Sequence, residues 1–439
     1  MKSTPLAVAA LLVSLATVAA EPAGGRPVST DQKRQAVTEL AAMLRARYAV
    51  GPAAETAAKT IEDKLARGGY GALVEAQAFA EALATDLRAV THDKHLSFGV
   101  APLPEPTPAP GAPAADAERT ARLAAMRAGN YGLPRAEILP GNVGYLEVRR
   151  FQPPELAGDT IAAAVAYLAN CDAIIVDLRN CRGGNAYVMP IFAGYFLSRP
   201  TSLYDMEFRG DSFTERFWTV AWLPGKRLAE VPMYLLTSGY TFSGAEGLAY
   251  RFKVLKRATI VGETTGGGAN AGGILDVPPF FRVWMPMGRP VDRTTGTNWE
   301  GTGVEPDLKT SAREALATAH TEALKALRAS ATTEQETARM SFALERAEGR
   351  YHPPDLSVKD LERFAGTYGP YRIWVEGEQL RSQRGADEPY LLVSLTRTVF
   401  ASETNDPVRL AFVCTTDGRP QKLLFTDGDG SEEESPRSP

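Results

Sequence analysis

Between Asn142 and Thr265 the chain alternates two kinds of segment. Short runs such as "DAIIVDLR", "PMYLLTS" and "RATIVGET" are apolar at nearly every position. A strand of that kind must be covered on both faces, because no side of its pleat is suited to water. The intervening stretches "DTIAAAVAYLAN", "AYVMPIFAGYFL" and "GAEGLAYRFKVLK" carry apolar residues at helical spacing and can supply those covers. Asp159 or Thr160 is a candidate cap for the first of them. With "NVGYLEVRRF" as the opening strand and "SAREALATAHTEALKALRAS" as a further helix, repeated βα units predict an α/β domain. Its sheet should be largely parallel, with right-handed crossovers.

The flanks have a different texture. "DQKRQAVTELAAMLRARYAV" and "EAQAFAEALATDLRAV" place apolar residues at i, i+3, i+4 and i+7, so residues 21–100 are expected to form a helical domain, its first helix capped by Thr30 or Asp31. Residues 101–119 begin with "APLPEPTPAPGAPAAD", whose near-alternating prolines suit an extended linker. The α/β core is assigned to residues 120–330. Residues 355–428 hold short strand-like runs and are expected to form a small β domain. The acidic end, residues 429–439, is expected to be disordered. Residues 1–20 combine Lys2, an apolar run and a small-residue "VAA" before Glu21, which is the pattern of a signal peptide. Export to a periplasmic or extracellular compartment is therefore expected.

At 439 residues, 44% hydrophobic and 23% charged, the composition is that of a globular chain with room for two or three domains. The formal net charge of −4 gives no reason to expect nucleic acid or an anionic membrane as partner, and no later run is long enough for a membrane span. Cys171, Cys181 and Cys414 have no metal-ligand spacing with one another or with a histidine, and all three are read as structural. No metal and no cofactor is called for.

Four polar or glycine-bearing clusters follow the strands, where sheets of this kind place their sites. They are "DLRNCRGG" (Asp177–Gly184), "TFSGAE" (Thr241–Glu246), "GETTGGGANAGG" (Gly262–Gly273) and "NWEGTGVEPDL" (Asn298–Leu308). Ser243, between an apolar strand and a helix start, reads either as a helix cap or as a nucleophile. The glycine-rich third cluster fits neither a dinucleotide fingerprint nor a phosphate loop. Its glycine density suggests a mobile segment bordering a cleft.

Together, and in this order, the four clusters resemble the serine peptidases that include the C-terminal (tail-specific) processing proteases, the tricorn core and the interphotoreceptor retinoid-binding protein modules. The resemblance runs from about Thr91 to Leu308. It implies a crotonase-like αβ superhelix for the core. It also implies Ser243 as nucleophile and the N–H groups of Gly183 and Gly244 as oxyanion hole. The processing branch uses a lysine base in "GETxxGKG", where this chain has Gly268. Lys253 and Lys256 lie farther down the following helix and do not replace it. The tricorn-like branch uses a histidine and a glutamate, which fall on His95 in "HDKHLSFG" and on Glu300 in "WEGTGVEPD". Where tricorn has a serine before its histidine, this chain has Lys94, with Ser97 a loose substitute. The 101–140 stretch is too short for the PDZ domain of the processing branch.

A hydroxyl becomes a nucleophile when a base within hydrogen-bond reach takes its proton and a third group holds the base, and His95 with Glu300 meets that need. His92 is the rival histidine, and Glu305 and Asp307 are the rival acids. Glu246 and Arg179 are read as structural, and His320 and His352 as inert surface residues. The function implied is an exported serine endopeptidase acting on polypeptides, with oligomeric state open. The alternative is a non-catalytic module of the same fold that binds an apolar ligand or a peptide end.

Overall fold

A computed structural model describes residues 25–101, 113–209, 214–402, 408–427 and 431–439. The signal-peptide assignment and most of the proline-rich segment lie outside the described residues. In chain order, α1 (Thr30–Arg47), α2 (Gly51–Ala66) and α3 (Ala76–Thr91) precede β1 (Ser97–Val100) and α4 (Pro113–Ala128). Next come β2 (Arg135–Leu139), β3 (Val143–Glu147), α5 (Pro154–Tyr167), β4 (Ala173–Asp177), α6 (Met189–Gly194), β5 (Ser202–Phe208) and β6 (Thr214–Trp218). They are followed by β7 (Met233–Thr237), α7 (Gly244–Val254), β8 (Thr259–Gly262), β9 (Ala271–Val277), β10 (Phe281–Val291), β11 (Leu308–Lys309), α8 (Ala315–Ala329) and α9 (Glu334–Tyr351). A short α10 (Val358–Glu362) leads into β12 (Gly366–Tyr368), β13 (Tyr371–Glu376), β14 (Gln379–Arg384), β15 (Tyr390–Ser394), β16 (Val399–Ser402), β17 (Arg409–Cys414), β18 (Pro420–Thr426) and β19 (Glu432–Pro436).

The chain divides into two units. The first holds α1 to α3, β1, most of β9 and the opening half of β10. Ser29, not Thr30 or Asp31, caps α1, in a capping box with Gln32. Phe79 on α3 meets Phe281 edge-on, and Phe98 on β1 stacks on the same ring, so one aromatic knot joins helices to strands.

The second unit holds residues 93–95, 108–271 and 286–439. Its centre is a six-stranded sheet in the order β11-β8-β7-β4-β3-β2, parallel throughout except for β2 against β3. Alternation along the strands explains why the sequence is apolar at nearly every position. Ile174 and Val176 of β4 and Met233 and Leu235 of β7 face a core built with α5, α6 and α7. Ala173, Ile175, Tyr234 and Leu236 face a second core built with α8 and α9. The parallel direction brings the loops after β4, β7 and β8 to one edge of the sheet, which positions the site.

Several boundaries differ from the sequence expectation. α5 starts at Pro154, whose fixed φ suits a first helical turn, and not at Asp159 or Thr160. Residues 113–119, assigned to the linker, are the first two turns of α4. α9 falls between the assigned core and β domain, and buries Met340, Ala343 and Ala347. Strands β12 to β19 form an eight-stranded antiparallel meander in sequence order. It is barrel-like, because Tyr368 bridges Arg437 and the Ser438 N–H reaches the Thr367 carbonyl. The acidic end is therefore not disordered over residues 432–436, which form β19. Its pairing with β18 leaves Glu434 beside Lys422 and Glu433 beside Arg384, so the charge that argued for disorder is neutralised across strands. Among the described residues no helix is long and apolar enough to cross a membrane.

Candidate active site

Ser243 sits between β7 and α7 with φ 55° and ψ −125°. A non-glycine residue there is strained, by about 1–3 kcal/mol, although Ser243 also stands at the N-cap of α7, where its carbonyl accepts the Gly247 N–H and Glu246 reaches back to its own N–H. Ser243 is thus a cap by position, and the strained φ is a feature that capping alone does not require. Its surroundings hold the strained turn. The Phe242 N–H donates to the Cys181 carbonyl, the Thr241 hydroxyl to the Leu178 carbonyl and the Ser238 hydroxyl to the Arg179 carbonyl. The turn after β7 is in this way fastened to the loop after β4. Arg179 itself pairs with Asp177 at 2.6 Å, as expected of a structural residue.

Gly183 explains the glycine pair in "DLRNCRGG". Its φ is 81°, and a Cβ there would lie 2.5 Å from the Gly244 nitrogen and 3.1 Å from the Ser243 Cβ. Only glycine lets the two loops approach this closely. The Gly183 N–H also favours the thiolate of Cys181, but burial outweighs it and pushes that thiol up to about 12. The Gly183 N–H thus faces a neutral sulfur, which is a weak acceptor.

The glycine-rich stretch is the main departure from expectation. It borders the candidate site, but it is buried and its amides are claimed in pairs. The carboxylate of Glu246, itself fully buried, accepts from the N–H groups of Gly267 (2.6 Å), Gly268 (2.9 Å) and Ser243 (2.7 Å), and from the Thr265 hydroxyl (2.5 Å). Glu300 Oε2 accepts from Ala269 (2.6 Å) and Asn270 (3.0 Å). Two carboxylates therefore hold four successive amides.

His95 lies against this loop. Its ring packs on Phe242 with centroids 4.5 Å apart, and a Cβ on Gly268 would meet Phe242 Cζ at 2.1 Å and His95 Cε1 at 2.9 Å. A side chain at Gly268 would therefore run into two rings. The rival histidine, His92, is an exposed left-handed cap at the end of α3. Lys94 is exposed and donates to the Gly266 carbonyl, which ties residues 93–95 to the glycine loop. Lys253 is occupied with Asp307 at 3.1 Å, and Asp307 also accepts the Ile260 N–H, so neither is available to the site.

Asp93 and Asn270 are site residues that the sequence reading missed. Asp93 is buried and accepts from the His95 backbone N–H at 2.9 Å and from Asn270 Nδ2 at 3.0 Å. Its carboxylate comes within 4.0 Å of His95 Nδ1. Ligand-capable atoms of Asp93, His95 and Glu300 all lie within 4.8 Å of one another, so these three could also converge on a cation. Burial pushes the His95 imidazole below its usual range, Asp93 opposes that, and Arg182 reinforces it. Burial, then the Asp93 charge, pushes the Glu300 carboxyl up to about 7, against the two amides it accepts. Asp93 is thus the carboxylate whose charge favours the imidazolium. His320, read as a surface residue, is fully buried instead. Its Nε2 faces the Pro140 carbonyl and must carry the proton, so Nδ1 accepts from the Tyr351 hydroxyl. His352 is exposed, as expected.

Residues 142–310 match the family model "Peptidase family S41", and residues 30–128 match "N-terminal domain of Peptidase_S41 in eukaryotic IRBP". The chain belongs to the S41 family, and it is a serine-type peptidase. Solved structures with similar folds include a lipoprotein from Streptococcus agalactiae (16% identity, 69% of this chain and 98% of the other, TM-score 0.43). Others are the photosystem II D1 C-terminal processing protease (14%, 65% and 94%, TM-score 0.40) and the tricorn protease (12%, 66% and 35%, TM-score 0.41). With TM-scores below 0.5 these likenesses are too remote to carry a functional assignment.

Proposed function

We propose that this chain is an exported serine endopeptidase that cleaves polypeptides through an acyl-enzyme, on a crotonase-like αβ superhelix. Ser243 is the nucleophile. His95 takes its hydroxyl proton as the oxygen attacks the scissile carbonyl, then gives that proton to the leaving amine. The N–H groups of Gly183 and Gly244 stabilise the oxyanion, and Glu300 orients His95, assisted by Asp93. Water then attacks the acyl-enzyme, with His95 again as base.

The observation that carries this reading is the strained Ser243 turn with Gly183 packed against it. A helix cap needs neither feature. A fluorophosphonate probe should label Ser243 in the native protein and not in the unfolded protein or in Ser243→Ala. A second reading, a non-catalytic binder of an apolar ligand or peptide end, draws on the match of residues 30–128 to the retinoid-binding protein's N-terminal domain. Native protein that binds but neither labels nor turns over peptides would favour it. Export rests on residues 1–20, and N-terminal sequencing of secreted protein should start at Glu21.

A further inference from the structure

Arg182 occupies the one position in "DLRNCRGG" that lies immediately before the Gly183 turn, and its side chain is exposed. Its guanidinium lies 5.0 Å from the Tyr240 ring centroid and 5.0 Å from that of Phe242. These residues stand three and one positions before Ser243. The cation is therefore held at the mouth of the candidate active site by ring faces. Among the described residues it makes no ion pair and no hydrogen bond. Arg179, three positions earlier in the same loop, is by contrast committed to Asp177.

A guanidinium stacked on rings keeps its edge and its N–H fork free, in the geometry that a carboxylate accepts in bidentate fashion. Its charge reaches His95, where it is one of the groups that disfavour the imidazolium, together with burial and against Asp93. The Phe242 ring that Arg182 lies over is also the ring on which His95 packs, with centroids 4.5 Å apart, so one ring joins the cation to the candidate base.

Building on the peptidase reading above, we infer that Arg182 is a specificity determinant that binds a carboxylate of the substrate close to the scissile bond. The carboxylate is either an Asp or Glu side chain or the free C-terminus of a short leaving segment. Tyr240, half-exposed, forms the floor of that subsite. A substrate carboxylate there would partly cancel the Arg182 charge at His95, so binding of the preferred substrate would also make the histidine a stronger base.

The test uses the full mature chain and matched fluorogenic peptides. One set has Glu, Gln or Lys flanking the cleaved bond and an amidated C-terminus, and another has a free C-terminus two residues beyond it. The wild type should favour one carboxylate-bearing arm over its neutral partner by on the order of tenfold or more in kcat/KM, and the arm that responds identifies the source. Arg182→Gln should remove that preference while leaving the neutral peptide's turnover within a few-fold, and should raise the pH midpoint for that peptide. Arg182→Lys should restore part of the preference. Equal loss on all peptides, or no carboxylate preference in the wild type, overturns the inference. Anisotropy of labelled peptides on Ser243→Ala protein separates this from failure of the peptidase reading. Arg182-dependent capture of the acidic peptide supports the subsite even without turnover, and capture indifferent to Arg182 overturns it.

Discussion

At the scale of single residues, the site is a set of charges held where water is scarce. A buried imidazole facing Asp93 and Arg182 titrates below its ordinary value of about 6.5. The base proposed above must be neutral to act, so kcat/KM should rise with pH and level off below that value. His95→Ala and Ser243→Ala should each lower kcat about a thousandfold or more, since members of such a set act as a unit. Near-normal turnover by His95→Ala would place the base elsewhere. Glu300 offers an independent check. Its carboxyl is raised to about 7 in the fold from an ordinary value near 4.5. A raised carboxyl costs nothing below its unfolded value, and its cost grows as pH climbs toward the folded one. Thermal unfolding of Glu300→Gln should therefore gain on the wild type between about pH 4.5 and 7, then hold a constant offset. An offset that ignores pH would show that Glu300 is not the strained acid.

At the scale of elements, the loop after β8 is held by two carboxylates and by the ring pair of Phe242 and His95. Gly268 has no room for a side chain. Gly268→Ala should displace Phe242 or His95 by several tenths of an ångström or more, and should cost on the order of a hundredfold in kcat/KM, as active-site misplacement does. Introducing the processing branch's lysine at the same position in His95→Ala should not restore turnover, which peptide kinetics on the double variant will show. The helix–strand alternation that placed this loop was legible in the sequence, because apolar runs and glycine clusters are local signals. The pinning was not. Nothing local distinguishes Glu246, an acid in the first turn of a helix, from an exposed capping residue. Only folding brings Gly267 and Gly268 to its carboxylate.

At the scale of the whole molecule, the chain carries several cores. The barrel-like C-terminal sheet encloses Phe364, Tyr368, Phe400 and Phe412, which pack ring against ring. These residues form a cluster separate from those flanking the central sheet. Phe400→Ala should cost about 3–5 kcal/mol, the usual penalty for emptying a buried aromatic site. The loss should appear in unfolding of the C-terminal strands, followed by hydrogen exchange, while fluorophosphonate labelling of Ser243 persists at 25 °C. Loss of labelling in step with the barrel would mean that the site depends on it.

What the sequence by itself determined is what depends on neighbours in the chain. The parallel sheet follows from strands apolar at nearly every position, and the glycine-bearing and polar clusters from their places after those strands. The acidic end misled for the same reason: composition registers charge but not the strand partner that balances it. Only the tertiary structure decided which histidine and which acids meet. Asp93 lies two residues from His95 but is joined by Asn270, 177 positions on. Buried polar groups choose partners by proximity in the folded chain, where desolvation makes each unmet hydrogen bond costly. A linear pattern has no means of recording that distance.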